Sequence, residues 1–334
     1  MLRKESVPVG HPMQRTIILF LAGFLLVAGC TEDAQRKDIA DLIGQIEQAR
    51  LRSHVASLTE SGPRPANNVQ ATRHAVNYIK AELVSFGYQP FEESPGAAVA
   101  PDQDGTEFIN IIAEHSGSKT PASILELGAH YDTVATSPGA DDNASGVAAV
   151  LEVARVLSQA TMKATVRFCF FALEENGREG SLYHVQQIQR RNEDMDGAII
   201  LEMVGYATDR PDTQRTPARI PWLFSPPTTG NFVAVVGNLH SGGLGNRLEN
   251  ALVSYTPGLP YFSANRAGGF FRDALRSDHK AYWDSGYRAI MLTDTANFRN
   301  PHYHQPSDTT DTLNFRFLQH IAQATAAMLL ETGR

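Results

Sequence analysis

Apolar positions fall into two rhythms that alternate along the chain. From residue 38 to 58 they recur at helical spacing, with Ile39, Leu42, Ile43 and Ile46 on one side, until Ser61-Gly62-Pro63-Arg64-Pro65 breaks the pattern. Val76, Ile79, Leu83 and Phe86 mark a second amphipathic helix, which Gly87 stops. Short apolar runs then predict strands over 123–129, 165–172, 198–203, 232–236 and 289–293, and helical patterns over 145–159, 241–254 and 313–330 separate or follow them. This alternation predicts an α/β fold with a mostly parallel, mixed central sheet and helices on both faces. Residues 207–230, rich in Pro, Thr and Arg and without periodicity, read as a long loop inside the domain.

Residues 1–29 need a separate reading. Lys4 and Arg15 precede an apolar run, Ile17 to Ala28, that is far shorter than the roughly 20 residues of a membrane-spanning helix, so the segment reads as an export signal. Val27-Ala28-Gly29-Cys30 closes it and resembles the bacterial lipoprotein cleavage box. That resemblance implies a lipid on Cys30, a polar tether over 30–37 and a single domain over 38–334, anchored in a bacterial cell envelope. Thr31 after the cysteine points by the same resemblance to the outer membrane, facing the periplasm. A soluble periplasmic or secreted form, with an ordinary signal peptide, is the alternative.

Charge narrows the partners. The 334-residue chain carries a net charge of −7, and the signal segment holds Arg3, Lys4 and Arg15 against Glu5, so the mature chain is more acidic still. Without a basic cluster, that balance argues against a nucleic-acid partner, and membrane contact is expected only through the lipid. Cys169, in the apolar run Val166-Arg167-Phe168-Cys169-Phe170-Phe171, is the only cysteine besides Cys30; it reads as a buried small hydrophobe, and there is no disulfide framework.

Reactive groups in an open α/β sheet gather beyond the carboxyl ends of its strands, and polar residues accumulate there in this chain. His130 and Asp132 are two apart at a strand end and share a face, which suits an imidazole on a metal and a carboxylate holding its other nitrogen. Asp141 and Asp142 lie in a small-residue turn feeding a helix, where a simple cap is the plainer explanation. Glu174 and Glu175 follow an almost wholly apolar strand. Glu202 is embedded in Ile199-Ile200-Leu201-Glu202-Met203-Val204, and a carboxylate inside a buried strand is costly unless a cation or proton compensates it. His302 and His304 share a proline-bounded loop.

In this order and spacing, His130-Tyr131-Asp132, Gly139 to Gly146, Glu174-Glu175, Glu202, Ser277-Asp278-His279, Tyr303-His304 and Asp308-Thr309 resemble the co-catalytic zinc aminopeptidases, whose relatives include glutamate carboxypeptidases and glutaminyl cyclases. The resemblance runs from about residue 55 to the C-terminus. It implies a zinc exopeptidase-like fold and two Zn2+ ions bridged by Asp142, with His130 and Glu202 completing one set of ligands and Glu175 and His304 the other. It further implies that Glu174 is the general base, Asp132 the partner of His130, Asp278 a supporting residue and the Asp142-Asn143 peptide cis. His304 is preferred to His302 because the family's ligand follows an aromatic residue and precedes the Asp-Thr pair by four positions. Glu202 departs from the aspartate usual in the family. The activity implied is removal of N-terminal residues from peptide substrates. The alternatives are a one-zinc glutaminyl cyclase, a carboxypeptidase using Arg266, Arg272 or Arg276, and, least favoured, a non-catalytic binding ectodomain.

Overall fold

The computed structural model describes residues 33–94, 109–216 and 226–333. The export signal, Cys30 and the start of the tether lie outside the described residues, as do 217–225 of the expected loop. The chain divides into two units, 1–42 and 43–334. The described part of the first is helical: α1 covers 33–43, so most of the expected tether is helix, in keeping with the good helix formers Ala34, Gln35, Arg36 and Lys37. The single helix expected over 38–58 is also interrupted. A turn containing Gly44 separates α1 from α2 (Gln48–Thr59).

The second unit is built on one eight-stranded sheet. Its strands are β1 (Phe91–Glu93), β2 (Asn110–His115), β3 (Thr120–His130), β4 (Ala164–Phe171), β5 (Asp194–Glu202), β6 (Val233–Gly237), β7 (Tyr261–Ala264) and β8 (Ala289–Thr293). They lie in the order β1-β2-β4-β3-β5-β8-β6-β7. The four central strands β4, β3, β5 and β8 are mutually parallel, whereas β2 pairs antiparallel with β4 and β6 antiparallel with β8. Parallel strands here are covered on both faces, which is why each reads as an apolar run; β4 is buried from Thr165 to Phe171.

Helices supply that cover. On one face α5 (Glu179–Arg191) and α7 (His279–Asp284) enclose a core containing Ile112, Cys169, Phe171, Ile188, Ile200 and Tyr282. The other face carries α4 (Gly146–Leu157), which packs against α2, α8 (Phe315–Gly333) and α3 (Val69–Ser85), while α8 also packs against α6 (Gly242–Tyr255). Every residue of α4 except Arg155 is buried, as befits a helix between sheet and outer helices. Each large apolar side chain buried there contributes about 1.5–3 kcal/mol before entropy is counted. Its one buried acid, Glu152, is compensated by hydrogen bonds with Arg50, His54 and Arg155.

Four parallel strands necessarily end at the same edge. His130 is the last residue of β3, Glu202 the last of β5, and Glu174 and Glu175 follow β4 directly. Glu202 is therefore not walled into the strand as the sequence suggested: its side chain is 15% exposed where the strand opens into a cleft.

Candidate metal centre

Five side chains from five separate segments converge at that edge. His130 Nε2 lies 3.4 Å from Asp142 Oδ1 and 3.3 Å from Glu202 Oε2. His304 Nε2 lies 3.2 Å from Asp142 Oδ2 and 3.3 Å from Glu175 Oε1. Asp142 thus offers one oxygen to each of two trios, and within each trio the potential ligand atoms lie within 4.8 Å of one another. His302 is turned elsewhere, with its Nδ1 2.9 Å from Ser307 Oγ.

The turn carrying Asp142 owes its shape to its neighbours. Gly139 has φ +67°, and a Cβ there would come within 2.3 Å of Asp142 O and 2.2 Å of Thr133 Cγ2, so only glycine fits. The Asp142-Asn143 peptide is cis, as the resemblance implied. Asn143 ties the turn to β5, donating to Leu201 O at 2.8 Å and accepting from Met203 N at 3.1 Å. Asp308 accepts the amides of Asp141 at 2.9 Å and Asp142 at 3.2 Å, and Thr136 Oγ1 donates to His304 O at 3.1 Å. These contacts fasten the two ligand-bearing loops to each other.

Asp132 sits behind the cleft. Its Oδ1 is 3.4 Å from His130 Nδ1, and its two oxygens accept the backbone N–H groups of Glu174 and Glu175 at 3.1 and 3.2 Å. Ser277 Oγ donates to Glu202 Oε2 at 2.7 Å, and the neighbouring Asp278 is fully buried. Burial, with Glu202 and Asp132 adding to it, pushes Asp278 up to about 7. Asp141, read from sequence as a cap, faces away from the cleft: its oxygens accept from Gly205 N at 2.8 Å and Asn300 Nδ2 at 2.6 Å.

The electrostatics call for cations. His130 Nε2, His304 Nε2 and Glu175 Oε1 are buried without a hydrogen-bond partner, although His130 Nε2 faces Asp142 and Glu202, and His304 Nε2 faces Asp142 and Glu175. Burial by itself would lower His130, but Glu202, Asp132 and Asp142 outweigh it and hold the imidazole well above its ordinary value. His304 is raised to about 9 by Asp142 and Glu175 against the same opposing burial. Burial pushes Glu174 well up, with Glu202, Asp278 and Glu175 reinforcing it and His130 opposing. Crowded carboxylates thus favour a proton on both imidazoles and on Glu174. His, Asp and Glu in this arrangement form a donor set that fits zinc, which would take the place of those protons.

Beside the carboxylates opens a cavity of about 460 Å³. Ala234 and Val236 line it with alternate residues from β6, Phe232 joins them from just before that strand, and Phe262, Met291 and Phe298 add to its apolar wall.

Arg64, Asp308 and Asn143 had no assigned role in the sequence reading. Their contacts are largely with backbone groups, and only the glycine-proline break around Arg64 and the acidic residue after His304 hinted at them.

Comparison with known proteins places the chain in a family. The chain is 34% identical over 295 residues to the uncharacterized protein YfbL of Escherichia coli K12, covering 84% of this chain and 87% of that one. A probable zinc metalloprotease of Pyrenophora teres f. teres is 28% identical over 296 residues, and the match spans 60% of that protein's length. Among solved structures, the LapA aminopeptidase of Legionella pneumophila superposes with a TM-score of 0.69 at 21% identity, covering 89% of this chain and 74% of that one, which shows a shared fold. The sequence matches peptidase family M28 over residues 110–329, which include every proposed ligand. The chain belongs to peptidase family M28.

Proposed function

We propose that the protein is a zinc aminopeptidase with two metal ions, which removes large apolar residues from the N-termini of peptides. The observation that carries this reading is the shared Asp142 carboxylate, one oxygen in each trio, opening directly onto an apolar cavity. Zinc ions bound there would acidify a water molecule and polarise the scissile carbonyl. Glu174 lines the same cavity and is placed to take a proton from that water and return it to the departing amine. Asp132 keeps His130 and the Glu174-Glu175 turn in register.

Cleavage from the N-terminus is supported by the site's charge. Glu174, Glu175 and Glu202 line the cavity and favour a free ammonium there, and of the three arginines weighed for a terminal carboxylate Arg266 and Arg276 are engaged, whereas Arg272 is exposed outside the cavity lining. Arg276 donates to Tyr303 Oη at 2.6 Å and Asn297 Oδ1 at 3.2 Å, and Arg266 to Asn246 Oδ1 at 3.2 Å. A panel of aminoacyl amides, free and N-acetylated, tests the reading together with zinc stoichiometry. Turnover of free leucyl and phenylalanyl amides and none of the acetylated forms is expected. Equal rates on both, or release of C-terminal residues, would overturn it; one bound zinc with cyclisation of N-terminal glutamine would indicate a cyclase.

A further inference from the structure

Arg64 lies in the glycine-proline break between α2 and α3, yet it is only 1% exposed. A buried guanidinium usually pairs with a carboxylate, but this one spends its donors on main-chain carbonyls. Nε donates to Tyr131 O at 2.8 Å, Nη1 to Leu58 O at 2.9 Å and Pro138 O at 2.8 Å, and Nη2 to Gly139 O at 3.2 Å. Its backbone exchanges two further bonds with Thr133, donating to Oγ1 at 2.8 Å and accepting from the Thr133 amide at 3.3 Å.

Three of the four carbonyls belong to the ligand-bearing loops. Tyr131 stands between His130 and Asp132, and Pro138 and Gly139 begin the turn that delivers Asp142. Only Leu58, in the last turn of α2, is the kind of acceptor that a helix-capping arginine would seek. We propose that Arg64 is a positioning residue for the metal centre: its guanidinium spans the β3 end and the Asp142 turn and so sets the separation of His130 and Asp142. The span requires a planar fork with donors on three nitrogens; a lysine brings the same charge to a single point and cannot bridge the same carbonyls. Gly139 is part of the device, since a Cβ there would come within 3.1 Å of Arg64 Nη2.

This inference rests on the two-metal reading, and the experiment separates the two. Zinc-induced thermal stabilisation and zinc affinity by chelator competition are measured for the wild type, Arg64→Lys and Arg64→Met. A ligand that binds only the folded state raises stability in proportion to the logarithm of its concentration over Kd, so the zinc-induced rise in Tm reports affinity even in a weakened variant. Both substitutions are expected to weaken zinc binding by about 10- to 100-fold, the range found when groups orienting metal ligands are removed. If metal-free and zinc-loaded forms lose the same stability, with the zinc-induced rise intact, Arg64 is only a fastener of the fold and the proposal fails. Wild-type affinity in Arg64→Lys but not Arg64→Met would assign the effect to charge and also overturn it. Should Arg64→Met not fold, Arg64→Lys decides alone. A wild-type protein that gains no stability from zinc would remove the two-metal reading itself.

Discussion

Asp132 reaches Glu174 through the backbone, its Oδ1 accepting the Glu174 N–H at 3.1 Å. The same carboxylate also accepts the Glu175 amide and faces His130 Nδ1, so one side chain orients a proposed metal ligand from each trio as well as the proposed base. Asp132→Asn keeps the volume but replaces one acceptor with a donor. Zinc affinity and kcat/KM are expected to fall by about 10- to 100-fold, checked by chelator competition and steady-state kinetics. Unchanged affinity would mean that the ligands are held from elsewhere.

Glu174→Gln removes basicity with little change in size. A fall in kcat of about 10² or more is expected while zinc content, measured by elemental analysis, stays at the wild-type level. Near-normal turnover, or loss of metal, would refute the role of base.

The apolar wall sets a preference that can be narrowed. Ala234 lines the cavity between Phe232 and Val236, so Ala234→Phe fills space that a leucyl or phenylalanyl side chain would occupy. KM for those amides should rise about tenfold or more, with a smaller change for the alanyl amide. A uniform change across the panel would place the specificity pocket elsewhere.

A second buried polar network predicts a pH dependence of stability. Glu126 on β3 accepts from Tyr282 Oη at 2.6 Å and Arg167 Nη1 at 2.8 Å and lies 3.1 Å from His184 Nε2, while His184 Nδ1 lies 2.7 Å from Glu93. Burial opposes the charged form of His184, but Glu126 overrides it and holds the imidazole well above its ordinary 6.5. That contribution is complete below about pH 6.5 and is lost as pH rises through the folded value. Glu126, where burial is outweighed by His184 and Arg167, is lowered from 4.5 to about 2, so its contribution is complete above about pH 4.5 and lost as pH falls towards 2. The pair therefore stabilises fully between about pH 4.5 and 6.5. In the metal-free protein, His184→Asn should lower Tm most in that window and least at alkaline pH; a pH-independent difference would show that His184 is not charged in the fold.

The central strands could be read from sequence because burial on both faces leaves an apolar run and nothing else. The outer strands could not. Phe91–Glu93 has three residues and two are acids, and the four residues of β7 are too few for their alternating burial to show in the sequence. The proposed ligands were legible through the family resemblance, since His130, Asp142, Glu175 and His304 each had a plainer reading alone, and the structure brings all five together. Orientation came from that resemblance and from nothing else in the sequence. Two adjacent aspartates look alike in a sequence, yet Asp142 faces the cleft while Asp141 is held by Gly205 and Asn300. Arg64 left the least trace, because its partners are carbonyl groups that every residue possesses.

Asp142 has a consequence for how the site would fill. A carboxylate with one oxygen in each half would make two zinc occupancies a single coupled equilibrium. The first ion would fix the orientation of the carboxylate that the second requires, and its charge would oppose the second's arrival. Whichever effect is larger, reciprocity demands that each ion alter the other's affinity by the same factor. A substitution at Glu202 would then change binding beside Glu175 and His304 without touching either, and titration of the protein with zinc would depart from two independent sites.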